Sequence, residues 1–108
     1  MSLFSEYVKE TKQMDIIEDE QGFVTFLVSG EDCYIADLFI RPQFRRKHKA
    51  FSFGDELKQI AKDKGCKNLV TTVNTTNVDP STPLKGILAF GFKVISANNN
   101  IILAKMEL

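Results

Sequence analysis

One stretch restricts the fold more than any other. Residues 33–40 and 68–73 are runs of apolar and β-branched character, and between them Phe53, Leu57, Ile60 and Ala61 recur at i, i+4, i+7 and i+8. That spacing is the single buried face of a helix. Pro42 ends the first run and Gly65 stands where a helix would take a C-cap glycine. Two strands joined through a helix can lie side by side as parallel neighbours in a right-handed crossover. The rest of the chain is arranged around that unit. Residues 14–18, 23–28 and 33–40 read as three strands linked by the short turns Asp19-Glu20-Gln21-Gly22 and Ser29-Gly30-Glu31-Asp32. Such links favour an antiparallel meander. Residues 3–13 read as an amphipathic helix with Phe4, Val8 and Thr11 on one face and Ser2 as N-cap. After a polar loop over 74–83 comes a helix over 84–90, stopped by Gly91. Strands 93–97 and 101–106 form a hairpin around Asn98-Asn99-Asn100. The expected class is α/β with a mixed sheet: antiparallel N-terminal strands, a parallel central pair and a closing C-terminal hairpin.

Composition narrows the partners rather than the activity. The 108 residues suit a single domain over 1–108. Fourteen Lys+Arg balance fourteen Asp+Glu, which argues against a highly basic nucleic-acid binder. No apolar run approaches the roughly 20 residues of a membrane span, and the first residues lack the pattern of a secretory signal. Cys33 and Cys66 are far apart and accompanied by one histidine, so no metal site is expected. They read as buried small hydrophobes, reduced in a cytoplasmic setting. The hairpin edge and small core make a homodimer a reasonable expectation.

The segment Leu38-Phe39-Ile40-Arg41-Pro42-Gln43-Phe44-Arg45-Arg46-Lys47-His48-Lys49-Ala50 carries the chemistry. It reads as strand, basic loop, helix start. A helix's first turn leaves backbone N–H groups unpaired, and its dipole favours an anion there. Four Arg/Lys side chains in five positions add charge of the sign that suits a pyrophosphate. The competing readings are a solvated basic loop and a nucleic-acid patch. The latter would need aromatic platforms, whereas Phe44 and Phe51 are expected to face the core.

This stretch also resembles the acetyl-CoA signature of the GNAT superfamily of N-acetyltransferases, in which an apolar strand end and a proline lead into Arg/Gln-x-x-Gly-x-Gly/Ala and a helix. Ile40 and Pro42 match the strand end, Phe44-Arg45 the aromatic–Arg pair, Arg45 the first motif position and Ala50 the last. Downstream, Val73-x-x-x-Asn77 and Phe90-Gly91-Phe92 resemble the family's second strand with its asparagine and its Leu-Gly-Phe. The order of elements over residues 14–108 is that of the family.

The resemblance implies an acyl-CoA N-acyltransferase fold and transfer of an acetyl group from acetyl-CoA to a small-molecule or protein primary amine by direct attack. It implies that the backbone of Leu38, Phe39 and Ile40 binds the pantetheine arm as an added strand, and that the third and fourth strands splay to admit it. It further implies that the 46–50 amides, with Arg45, Arg46, Lys47, His48, Lys49 and Ala50, cradle the pyrophosphate. Asn77 would contact the pantetheine or a substrate amide, or else act as a helix cap. His48 takes the place of the central glycine, and histidine tolerates the left-handed region better than most residues. Ile87 stands where the family often has a thiolate-protonating tyrosine, which leaves Tyr34, Ser81 and Thr82 as other donors. If strand alternation holds, Tyr34, Ala36, Leu38 and Ile40 share one face, and Ile35, Asp37 and Phe39 the other. Asp37 is then either a base with a pKa raised among apolar neighbours or a carboxylate on an exposed sheet face. One N-terminal helix leaves an acceptor site that is open, completed by a partner or absent.

Overall fold

The structure is a computed structural model that describes residues 2–45 and 48–108. It contains a six-stranded mixed sheet in the order β1-β2-β3-β4-β6-β5. The strands are β1 Asp15–Asp19, β2 Gly22–Ser29, β3 Asp32–Ile40, β4 Asn68–Asn74, β5 Lys93–Asn98 and β6 Ile101–Glu107; the helices are α1 Leu3–Tyr7, α2 Lys49–Asp63 and α3 Ser81–Phe90. β1, β2 and β3 form the antiparallel meander, β3 and β4 are the parallel pair, and β6 returns antiparallel to β4 with β5 outside it. The expected fold class is therefore the observed one.

α2 packs its Phe53–Leu57–Ala61 stripe on the sheet, with Ile60 half-buried beside it. The stripe meets Val24, Phe26, Cys33, Leu69 and Ala104. Burial of each valine, leucine or phenylalanine among them contributes roughly 1.5–3 kcal/mol. The helix ends in a Schellman motif. Gly65, at φ +82, donates to the Lys62 carbonyl at 3.0 Å, and Cys66 N–H donates to the Ala61 carbonyl at 2.9 Å. Both cysteines are buried free thiols. Burial pushes the Cys33 thiol up to about 11, which keeps it protonated and inert.

Three expectations are corrected. The N-terminal helix is α-helical only over Leu3–Tyr7 and continues as a π-helix over Val8–Lys12, closed by Gln13 at φ +55. The wider turn breaks the expected stripe: Val8 and Ser5 are buried, while Phe4 is 38% exposed and Thr11 is exposed. Ser2 does cap the helix, its Oγ accepting from Ser5 N–H at 3.0 Å. α3 starts at Ser81, three residues before the expected start at 84, because Pro83 lies in its first turn, where the missing N–H costs nothing. Asp79 accepts from Thr82 N–H at 3.3 Å and from the Ser81 and Thr82 hydroxyls. Those hydrogen bonds, led by the Thr82 hydroxyl, hold its carboxyl below the usual range.

The third correction concerns the faces of β3. Thr25 pairs with Asp37, but Phe26 pairs with Ile35, so Ala36 is an extra, bulged residue. Directly paired residues share a sheet face. Cys33, Ile35, Leu38 and Ile40 therefore face α2, and Tyr34, Asp37 and Phe39 face the other way. The expected alternation holds on each side of the bulge and reverses across it, so Tyr34 is parted from Leu38 and Ile40, and Ile35 from Asp37 and Phe39.

Candidate functional site

The parallel ladder between β3 and β4 is short. It pairs Asp32–Ile35 with Asn68–Thr71 and ends there, although β3 runs on to Ile40 and β4 to Asn74. Thr71 Oγ1 donates to the Ile35 carbonyl at 3.2 Å and caps the last rung. Beyond it the strands diverge around a cleft of about 470 Å³. On the β3 side Arg41 N–H donates to the Gln21 carbonyl at 2.8 Å. Hydrogen-bonding direction alternates along an antiparallel strand. Phe39 and Asp37 thus turn their backbone groups to β2, and Leu38 and Ile40 turn theirs toward the gap.

The cleft is walled by α2 through Ala50, Phe51 and Gly54, and by α3 through Pro83, Gly86, Ile87 and Phe90. Its polar side chains are Asp37, Thr71, Thr72 and Thr82; the rest of the lining is apolar. α2 and α3 are joined by Phe90. Its ring lies 5.2 Å from that of Phe51 in an edge-on arrangement and fills the space over Gly54, where a Cβ would come within 2.5 Å of Phe90 Cζ. The Lys58 ammonium lies 5.5 Å over the same ring.

At the mouth of the cleft stands the N-terminus of α2. His48 is its N-cap in the left-handed region, φ +62 and ψ +13, and its side chain makes no cap bond. The imidazole is exposed and leans edge-on against Phe51 at 6.3 Å. Histidine thus takes the backbone conformation a glycine would supply, and the strands behind it are not zipped together. Phe51 is 37% exposed, not a core residue as expected, whereas Phe44 packs against the core.

The charged segment does not act as one unit. Arg45 Nε donates to the Ile40 carbonyl at 2.9 Å, and its guanidinium lies 5.7 Å from the Phe39 ring. Lys49 is ion-paired with Asp19 at the β1–β2 turn and sits 4.3 Å over the Phe53 ring. Asp19 Oδ1 also accepts from Gln21 and Gly22 N–H. The Lys49 hydrogen bond, first among these, holds the Asp19 carboxyl below the usual range. Arg46 and Lys47 lie outside the described residues.

Of the two residues expected to be catalytic, Asp37 is exposed rather than enclosed by apolar neighbours, and its Oδ2 accepts from the buried Thr25 hydroxyl at 2.9 Å. Tyr34 is half-buried, its hydroxyl 3.1 Å from Thr72 Oγ1 across the parallel pair. The bulge brings both to the sheet face opposite α2, beside the gap. Leu38 and Ala50 line the cleft, whereas Asn77 lies in the exposed turn after β4, its N–H donating to the Asn74 carbonyl at 3.2 Å. Ile87 is half-buried on the α3 wall. The helix and Ile87 are legible in the sequence; that the helix walls the cleft, and the part played by Thr71 and Thr72, are not. The signal for α3 was present as Asp79-Pro80-Ser81-Thr82-Pro83. Nothing in the sequence announces where a ladder stops.

Residues 12–84 match the Acetyltransferase (GNAT) family. That span is most of the chain, and the chain belongs to this family. No curated protein sequence matches it. Among solved structures it is similar to the PaiA N-acetyltransferase of Thermoplasma acidophilum in complex with coenzyme A, at 19% identity and a TM-score of 0.78, covering 98% of this chain and 69% of that one. A GNAT family acetyltransferase of Elizabethkingia anophelis with acetyl-CoA bound shares 18% identity at a TM-score of 0.75, covering 98% and 82%. Nourseothricin acetyltransferase shares 16% at 0.70, covering 81% of this chain and 57% of its own length. At such identities the likeness is one of fold. Among the described residues no helix is long and apolar enough to cross a membrane, and no cluster of metal-ligating side chains occurs.

Proposed function

We propose that residues 1–108 form a single acyltransferase domain that moves an acetyl group from acetyl-CoA to a primary amine. The observation that carries this reading is the early end of the β3–β4 ladder beside the uncapped start of α2. The gap offers the Leu38 N–H and C=O as an unpaired edge to which a pantetheine amide can add as a strand. The first-turn amides of α2 offer a diphosphate their partial positive charge. The Arg45 and Lys49 cations stand at that end, tied to the Ile40 carbonyl and to Asp19.

The reaction forms a bond between the amine nitrogen and the thioester carbonyl carbon and breaks the C–S bond. One proton leaves the nitrogen and one reaches the departing sulfur. In this reading Asp37, at the wall of the gap, accepts the first directly or through water, and the Tyr34–Thr72 hydroxyl pair supplies the second. Asp37→Asn removes the acceptor while keeping a partner for Thr25. It should lower kcat/KM by roughly 10²–10⁴ with little change in melting temperature.

Ile87 on the cleft wall favours a second reading, a CoA-binding module without catalysis. Thiol release from acetyl-CoA over a panel of primary amines decides between them. Steady CoA production that requires the amine supports the enzyme. Saturable acetyl-CoA binding with no amine-dependent release supports the module.

A further inference from the structure

On the face of the sheet away from α2 an aromatic shelf runs up to the gap. Phe23 and Phe39 are cross-strand partners with rings stacked at 5.8 Å, and Phe4 of α1 closes on Phe23 at 4.8 Å. Phe39 is 43% exposed, so the shelf meets water rather than the core. One same-face step along β3, about 7 Å, separates Phe39 from Asp37. Thr25 fixes that carboxylate through Oδ2, and Asp37 also lines the cleft on the other side of the strand. On the other side of Phe39 along the chain the sign is opposite: the Arg45 guanidinium lies over the Phe39 ring, held by the Ile40 carbonyl.

We propose that the acceptor is a primary amine carried on an aromatic ring, its nitrogen at Asp37 and its ring on Phe39. The inference rests on the acyltransfer reading above and specifies its second substrate. An exposed aromatic surface offers area and a preferred ring geometry to a flat partner. The carboxylate at one end and the guanidinium at the other orient the amine end toward the gap, an incoming ammonium releasing its extra proton to water before the neutral nitrogen attacks. A polyamine stretched along the shelf would bring its second ammonium against Arg45. A simple alkylamine would reach Asp37 but gain little from the rings.

The test uses the full chain with saturating acetyl-CoA and compares kcat/KM for 2-phenylethylamine, n-butylamine and spermidine. Phenylethylamine should exceed butylamine by roughly tenfold, and spermidine, with its three amino groups, should fall below phenylethylamine. Phe39→Leu keeps apolar bulk without a ring face and should bring the phenylethylamine-to-butylamine ratio close to one. A ratio near one in the wild type, a preference for spermidine, or a ratio unchanged in Phe39→Leu overturns this inference and leaves acyltransfer standing. If Phe39→Leu does not fold, the wild-type ratio decides alone. No heat on titrating acetyl-CoA and no CoA release with any amine overturns the acyltransfer reading, and this inference with it.

Discussion

His48 holds a backbone conformation that costs most side chains about 1 kcal/mol or more, at φ +62 at the head of α2. His48→Val, β-branched at that position, should lower stability in urea by roughly 1–2 kcal/mol. His48→Gly should not lower it, because glycine enters that region without a steric cost. The Asp19–Lys49 pair makes a second prediction. The folded pKa of Asp19 is depressed, so its contribution is present above the unfolded value of about 3.9 and is lost as the pH falls through the folded value. Asp19→Asn keeps an oxygen for the Gln21 and Gly22 amides but loses the charge. It should cost no more than about 1 kcal/mol at neutral pH, since the carboxylate is exposed. Denaturation curves of the two proteins should converge in that acid window. At this scale the sequence was informative about residue types and less so about their surroundings. Asp37 was legible as a carboxylate near the basic segment, but its exposure and its tie to Thr25 follow from a bulge at Ala36 that no residue there announces. Arg45 and Lys49 were legible as cations, but not that one would turn back to a strand carbonyl and the other to a turn carboxylate.

At the scale of elements, β3, α2 and β4 were readable because each carries a strong period and a clear stop. α2 shows Phe53, Leu57 and Ala61 buried and closes at Gly65. α3 was harder to place. None of its residues is buried, so its apolar period is weak, and two prolines obscure its start. It is held to α2 through the Phe90 ring over Gly54. Alanine at 54 would gain about 1 kcal/mol of helix propensity but drive a Cβ into that ring, a clash of roughly 1–3 kcal/mol. Gly54→Ala should therefore destabilise the protein. On a Phe90→Ala background the same substitution should stabilise it by about 1 kcal/mol. A double-mutant cycle by thermal unfolding checks the change of sign.

At the scale of the molecule, two helices lie on one face of the sheet and α1 lies on the other. The gap between β3 and β4 connects the two faces. A thioester entering from the α2 side and an amine resting on the Phe39 side would meet at one opening, beside Asp37 and the Tyr34–Thr72 pair. Family membership was legible from three short motifs in the right order, because the strand–loop–helix unit must keep its backbone geometry even where a histidine replaces glycine. The length of the gap was not, because it is set by where Thr71 rather than a backbone amide takes the Ile35 carbonyl. The most direct measurement is a titration of acetyl-CoA into isotope-labelled protein, followed by amide NMR. Saturable shifts should concentrate at residues 36–40, 49–51 and 71–73, with a dissociation constant below about 1 mM. No shifts at millimolar acetyl-CoA, or shifts confined to the β5–β6 hairpin, would contradict the account.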